Sequence, residues 1–528
     1  MVRIMQPVLI DGVWREARSV GTFQAVDPST GSPLPGLFPI SSFEDVEAAL
    51  AAGRRACKEL AQASPEQIAA FLERFAEGIL GRADELVETA HRETALPKAP
   101  RLGTIELPRT IDQLRQAAEA SRDRSWRRAA IDTKSNIRSI HGPLGGPVIV
   151  FGPNNFPFAF NSAAGGDMAA AIAAGNPVLA KAHPYHPATT KLFAEIARSS
   201  LEGPRLPPAT LQMIYHLRPE DGLRLVAHPL TGATAFTGGR PSGMRLKEAA
   251  DRAGKPISLE MSSVNPVFIL PGALRERGEA IAAEFSASCS GGAGQFCTKP
   301  GLVVVLDGAD GRDFLAASKR NLKAPPSGFL LGRGVLESLQ SSVSEMAREG
   351  AEILTGGNPI DGPGFQFENT LLKISARAFL RNPGRFQQEA FGTASLVVLA
   401  GTEKEMIRVA EALEGNLSAC VYSDKAGADD GLYSRLAPVL RTKAGRLLND
   451  KMPTGLAVVP SMVHGGPFPA TGHPGFTSVG FPTSLLRFTA LRCYDNVRSD
   501  RLPPELRDEN PTGKMWRLVD GDWTKRDV

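Results

Sequence analysis

From Pro143 onward the chain is punctuated by short apolar runs, each too short for a helix and each separated from the next by a helix-length stretch. Val148-Ile149-Val150-Phe151 follows the turn Pro143-Leu144-Gly145-Gly146-Pro147. Then come Pro177-Val178-Leu179-Ala180-Lys181, Gln212-Met213-Ile214-Tyr215, Ala233-Thr234-Ala235-Phe236-Thr237 and Pro256-Ile257-Ser258-Leu259-Glu260. A strand that is apolar on both faces must be covered on both faces. Such runs joined by helical segments imply a parallel sheet sandwiched by helices, an α/β fold. A second αβ region follows Glu260, with Val303-Val304-Val305-Leu306 and Ala394-Ser395-Leu396-Val397-Val398-Leu399 as its clearest strands. The Ala-rich stretch Phe158–Ala174, stopped by Gly175, predicts a helix. Residues 43–122 read as mostly helical. One helix runs from Phe43 to Ala63 behind Ser41 or Ser42 as N-cap. A second starts at Ser64-Pro65-Glu66-Gln67, and a third spans about Ala83 to Thr94.

At 528 residues the chain exceeds what one core fills, so two or three domains are expected. The formal net charge of +4 offers no concentrated basic stripe, which argues against nucleic acid as a partner. No apolar run reaches the ~18 residues of a membrane span, and Met1–Pro7 does not read as a signal peptide. The five cysteines are scattered, which fits a reducing, cytoplasmic setting and not a disulfide framework. There is no Cys-x-x-Cys or His-Glu-x-x-His spacing, so no structural or catalytic metal is expected. The tail from about 500 is polar, with Pro503-Pro504 and two tryptophans.

Two residues stand out chemically. Cys297 lies in Gly294-Gln295-Phe296-Cys297-Thr298, and Glu260 ends the strand-like run that precedes Met261-Ser262. A free cysteine is most often a small buried hydrophobe. Cys289, in Ser286-Ala287-Ser288-Cys289-Ser290, reads that way. A thiol in a Gly-rich approach with a carboxylate to serve it suggests covalent catalysis, with Cys297 as nucleophile and Glu260 as base. Desolvation is expected to raise the pKa of Glu260. Asn155, before Phe156-Pro157 at a strand–helix junction, could be only a turn or cap residue. Thr237-Gly238-Gly239-Arg240-Pro241-Ser242-Gly243 follows a strand and opens a helix, where backbone can approach an anion closely.

Six segments in one order carry a resemblance: Phe151-Gly152-Pro153-Asn154-Asn155-Phe156-Pro157, Lys181-Ala182-His183-Pro184, Phe236-Thr237-Gly238-Gly239, Leu259-Glu260-Met261-Ser262, Gly294-Gln295-Phe296-Cys297 and Glu389-Ala390-Phe391-Gly392. Over nearly its whole length the chain resembles the aldehyde dehydrogenase superfamily. The resemblance implies a Rossmann-type cofactor domain (1–125 and 146–259), a second α/β catalytic domain (260–484), and an oligomerisation projection with tail (126–145 and 485–528). It implies that the Asn155 amide, with the Cys297 backbone N–H, holds an oxyanion. It implies a cofactor site of Lys181, His183, Gly238, Gly243, Glu389 and Phe391. Gly239 stands where the family usually has Ser.

Many NAD-preferring relatives carry Glu three residues after this Lys; here Pro184 stands there, so NADP is the expected cofactor, with NAD possible. Arg218 is a further candidate for the phosphate. Within the superfamily the chain looks most like an NADP-dependent branch containing α-ketoglutaric semialdehyde (2,5-dioxopentanoate) dehydrogenases. That match rests on Lys181–Pro184, Glu260–Pro266 and Trp516-Arg517-Leu518-Val519-Asp520-Gly521. The expected substrate is such a short anionic aldehyde, with Phe156, Arg109 and His464 as substrate-binding residues. Arg109 could meet the substrate carboxylate or be an ordinary surface charge. His464 is expected to line the funnel and not to act as base. Phe156, Phe160, Phe468 and Phe476 would suit the alternative of a medium-chain or aromatic aldehyde. A catalytically silent relative is the other alternative, and a CoA-acylating enzyme is disfavoured by Glu260. A homodimer or homotetramer is expected through about 126–145 and 485–498, where Ile131, Ile137, Ile140 and Leu491 alternate with polar residues.

Overall fold

In the computed structural model, which describes residues 5–528, the five apolar runs of the first half become neighbouring parallel strands. Their spatial order is Ile257–Glu260, Ala233–Thr237, Val148–Phe151, Val178–Lys181, Leu211–Ile214. Two three-residue strands, Val8–Ile10 and Val13–Arg15, extend this sheet as an antiparallel hairpin. Strand order reverses at Val148–Phe151, which pairs with Val178–Lys181 on one side and Ala233–Thr237 on the other. A crevice outside the carboxyl ends of strands at such a reversal is where open α/β sheets bind ligands.

The second sheet also has seven strands, in the order Glu352–Thr355, Thr370–Ser375, Ala394–Ala400, Leu302–Leu306, Val267–Ile269, Asn416–Tyr422, Ala444–Asn449. All its pairings are parallel except that of the edge strand Glu352–Thr355. Asn416–Tyr422 is buried at every residue, as an interior strand covered on both faces must be.

A third sheet gathers Thr489–Asp495, Ile137–Pro143, Ala130–Asp132, Arg517–Val519 and Asp522–Thr524. Of the four apolar residues singled out there, Ile131 and Ile140 are buried against Leu502, Leu506 and Met515 of the same chain. Ile137 and Leu491 are exposed, at 40% and 75%. The polar tail is tied down by Arg517. This side chain is fully buried and donates to the carbonyls of Arg507 (2.6 Å), Asp508 (3.0 Å) and Arg526 (2.9 Å).

The N-terminal helices start where their caps direct. Ser42 Oγ accepts from Asp45 N at the head of Phe43–Leu60. Ser64 and Gln67 form a reciprocal capping box at the head of Pro65–Gly81. One expected helix is cut short: the Ala-rich stretch after Asn155 is helical only over Gly166–Ala173. The backbone N–H groups of Phe158 and Ala159 donate to Glu106 Oε1 (2.8 and 3.0 Å), and Ala163 N donates to Asn161 Oδ1 (2.9 Å). These side-chain acceptors hold the preceding residues in turns. No helix among the described residues is long and apolar enough to cross a membrane.

Candidate active site

Cys297 follows a tight turn in which Gly292, Ala293 and Gly294 all have positive φ (56°, 55° and 70°). A Cβ on Gly294 would lie 2.2 Å from the Gly392 backbone, so only glycine fits there. Glu260 ends its strand 2% exposed. The two segments are tied by the fully buried Asn265, whose Nδ2 donates to the carbonyls of Cys297 (2.8 Å) and Lys299 (3.0 Å).

Between thiol and carboxylate stands His464, 1% exposed. Its Nε2 is 3.4 Å from Cys297 Sγ and 2.8 Å from Glu260 Oε1. The expectation of a funnel-lining residue understates this position. Ser478 Oγ donates to Glu260 Oε2 at 2.7 Å, and the Cys297 thiol also hydrogen-bonds the carboxylate.

Burial pushes the Cys297 thiol well above its ordinary pKa, and the charges of Glu260 and Glu389 add to the rise; Arg109 opposes it. Burial also acts to raise Glu260. Yet its pKa is lowered, because His464 by charge and hydrogen bond, then Ser478 and Cys297 by hydrogen bonds, outweigh desolvation. The expectation of a raised carboxylate is therefore corrected: specific partners beat burial here. The resting pair is a protonated thiol beside an ionised carboxylate.

Asn155, 6% exposed, faces the same cleft, and its Nδ2 donates to the Gln295 carbonyl at 2.8 Å. An amide carries two N–H groups, so one remains for another acceptor. The Asn155 carbonyl is held at 2.9 Å by Arg101, which pairs with Glu106 at 2.6 Å and packs over the rings of Phe156 and Phe296. Arg101, Glu106 and Ser478 had no sequence signal. Their partners lie on other elements.

Arg109 is not an ordinary surface charge. Its Nε donates to Gln113 Oε1 (3.2 Å), while its Nη2 is buried without a partner. The guanidinium lies 5.5 Å and 5.1 Å from the ring centres of Phe156 and Phe160, and burial lowers its pKa. Phe156 and Phe160 cluster with Phe296, Leu456, Val458 and Met462. The other two expected funnel aromatics are elsewhere: Phe468 is 54% exposed, and Phe476 is buried beside Arg487.

A cleft of about 810 Å³ runs from this pocket across the carboxyl ends of the first sheet. His183, Gly238, Glu389 and Phe391 line it. The strand Ala233–Thr237 delivers the Gly238-Gly239 turn to the start of helix Arg240–Arg252, a ready anion site. Lys181 ends its strand behind the wall, its pKa lowered to about 8 by burial. His183 is pushed well below its usual pKa by burial, then by His186 and Lys181, and so is neutral. Gly243 does not reach the cleft: a Cβ there would lie 2.8 Å from Met261 Sδ, so it serves close helix–strand packing. Arg218 is also away from it, donating to the Val20 carbonyl (3.2 Å). Arg240, overlooked in the Gly turn, lines the cleft and pairs with Glu414 at 2.8 Å. Glu389 is pushed up to about 7 by burial, against hydrogen bonds from Ser262 and Ser263. The volume suits a cofactor-sized ligand. A helix N-terminus for phosphates, a flat aromatic and a carboxylate for hydroxyls together fit a dinucleotide.

Comparison with known proteins identifies the family. The model of the Aldehyde dehydrogenase family matches residues 14–431. The chain is 40% identical over 526 residues to alpha-ketoglutaric semialdehyde dehydrogenase 2 of Azospirillum brasilense, covering 97% of this chain and 98% of that one. It is 35% identical to alpha-ketoglutaric semialdehyde dehydrogenase of Acinetobacter baylyi, covering 97% of each. Among solved structures, aldehyde dehydrogenase C of Pseudomonas syringae, a mutant complexed with NAD+ and octanal, superposes with a TM-score of 0.80. Identity there is 20%, covering 93% of this chain and 96% of that one.

Proposed function

The chain belongs to the aldehyde dehydrogenase family and is an NAD(P)-dependent aldehyde dehydrogenase, and from that premise we propose that it oxidises α-ketoglutaric semialdehyde to 2-oxoglutarate with NADP as preferred cofactor. The observation that carries the substrate is Arg109. An unpaired, buried guanidinium nitrogen beside an aromatic funnel is costly unless an anion meets it. The two relatives named for this substrate, at 40% and 35% identity, support the reading. The aromatic cluster at Phe156 and Phe160 favours neutral aldehydes as a second reading.

In the proposed reaction Cys297 Sγ attacks the aldehyde carbon, and its proton passes to the Glu260–His464 pair that already touches it. The free N–H of Asn155 and the Cys297 backbone N–H hold the oxygen as charge develops on it. When bound, the dinucleotide supplies the hydride acceptor. His183, Gly238 and Arg240 would hold it from the first sheet and Glu389 and Phe391 from the second, with Lys181 beneath. The thiol's proton leaves the pair to solvent, and Glu260, kept ionised by His464 and Ser478, then takes a proton from the water that releases the acid from sulfur. For cofactor choice, the wall at His183-Pro184-Tyr185 carries no carboxylate to oppose a 2′-phosphate. For assembly, Thr489–Asp495 is the open edge of the third sheet and exposes Leu491, which suits pairing with a second copy. We read the protein as a homodimer or homotetramer.

The test is a kinetic panel of α-ketoglutaric semialdehyde, octanal and benzaldehyde with both cofactors. The expected result is the highest kcat/KM with the semialdehyde and NADP. Preference for octanal, or for NAD by an order of magnitude, contradicts it.

A further inference from the structure

We propose that the cofactor-free protein binds one thiophilic divalent cation of the zinc class on Cys297, Glu260 and His464, which caps the nucleophile and shuts the site. The three donor atoms all lie within 4.8 Å of one another. Bonds of about 2.3 Å to sulfur and 2.0–2.2 Å to nitrogen and oxygen, at tetrahedral angles, place sulfur and nitrogen roughly 3.6 Å apart and nitrogen and oxygen roughly 3.4 Å apart. Sγ and Nε2 stand 3.4 Å apart, close to that value, while Nε2 and Oε1 stand at 2.8 Å. The second pair is close because it shares a hydrogen bond; turning the carboxylate replaces that proton with the metal.

Charge and softness agree. Thiolate and carboxylate together neutralise a dication, and a thiolate with an imidazole selects zinc over magnesium or calcium. On binding, the S–H bond gives way to a sulfur–metal bond and its proton leaves to solvent, while the proton on His464 Nε2 moves by way of solvent to Nδ1 so that a neutral imidazole ligates; no oxidation state changes. Ser478 holds the other carboxylate oxygen at 2.7 Å, a supporting contact of the kind metal-bound carboxylates use. Cys297 and Glu260 both face the cleft, which leaves an entry path and an open fourth position. The donors come from three distant segments, so no spacing motif announces them. The inference rests on this geometry and not on the substrate or cofactor assignment.

The test uses the full-length protein, stripped with a chelator and titrated with Zn²⁺ by calorimetry, and with Co²⁺ followed by thiolate charge-transfer absorption, without aldehyde or cofactor. One equivalent should bind with micromolar or tighter affinity, give the cobalt–thiolate band and protect Cys297 from iodoacetamide. Chelator should reverse all three effects. In turnover Zn²⁺ should compete with aldehyde. Cys297→Ala should abolish the band. His464→Ala should weaken binding by roughly tenfold or more. Cys289→Ala, a change in the core, should bind as wild type. Carbamidomethylated wild type, which needs no folding variant, should bind none. Absence of stoichiometric Zn²⁺ binding, a band that survives Cys297→Ala, or binding unchanged in folded His464→Ala overturns the proposal. A dehydrogenase that failed the kinetic panel yet bound Zn²⁺ this way would leave it standing.

Discussion

The cofactor-side wall and the thiol pocket share one cleft but are built by opposite means. The first is made by the carboxyl ends of adjacent parallel strands, where Phe151 leads to Pro153, Lys181 to His183, and Thr237 to Gly238. Its shape is a consequence of backbone topology, and each contribution is local in sequence. The pocket of Cys297 is a convergence of side chains: Glu260 from one sheet, Cys297 from a strained turn, His464 and Ser478 from a loop, and Arg101, Glu106 and Arg109 from the N-terminal helices. The difference teaches where tolerance should lie. Substitutions on the wall should tune affinity, whereas substitutions in the pocket should abolish chemistry or change the substrate.

The largest contrast is between two cysteines. Cys297→Ala should eliminate dehydrogenase turnover while NADP binding, followed by fluorescence, persists. Cys289→Ala, whose thiol sits in the core 3.3 Å from Ser395 Oγ, should keep most activity. The reverse pattern would move the nucleophile. Next, Glu260→Gln keeps shape and loses basicity, so kcat should fall by a factor on the order of 100 to 10,000.

Arg109→Leu should separate substrates. A hydrogen bond to a charged group is worth about 1.5–3 kcal/mol, so kcat/KM for α-ketoglutaric semialdehyde should fall roughly 10- to 150-fold. Octanal should be little affected or improved. Equal losses on both substrates would mean that Arg109 only supports Phe156 and Phe160. On the wall, Pro184→Glu places like charge against a 2′-phosphate. It should cost NADP about 1–3 kcal/mol relative to NAD, roughly 5- to 150-fold in the ratio of kcat/KM values. The smallest effect lies away from the cleft. Leu491→Lys on the open edge strand should weaken self-association, read by light scattering across a dilution series, with little change in kcat at high concentration. A wild-type particle of single-chain mass at micromolar concentration would remove the assembly reading.

Legibility follows the same division. Both αβ regions could be read because interior parallel strands are short and mostly apolar on both faces, and Ser42 and Ser64 announced their helices through their own hydroxyls. The hairpin Val8–Arg15 was not legible: three-residue strands carry too little pattern to stand out. The helix expected from Phe158 failed because Glu106, far away in the chain, captures the N–H groups of Phe158 and Ala159. The polar tail hid its order because its few apolar residues, Leu502, Leu506 and Met515, find their partners Ile131 and Ile140 far away in the chain, and because a buried arginine, Arg517, ties its backbone together. In the site, Cys297, Glu260 and Asn155 stood in motifs. His464 was visible only as a lone histidine, and its effect on Glu260, which together with Ser478 and Cys297 reverses the direction set by burial, needed the folded chain. Arg109 was visible as one charge among many; what distinguishes it is an unpaired nitrogen, which exists only after folding.

The central claim is that Cys297 carries the substrate covalently while Glu260 prepares the water that releases it. Rapid quench of Glu260→Gln during turnover of α-ketoglutaric semialdehyde with NADP, followed by peptide mass spectrometry, tests it most directly. The account predicts that the acyl adduct accumulates on the peptide containing Cys297, at close to one per active chain, while product release lags behind. A free Cys297 thiol throughout turnover, or an adduct on Cys289, would contradict it.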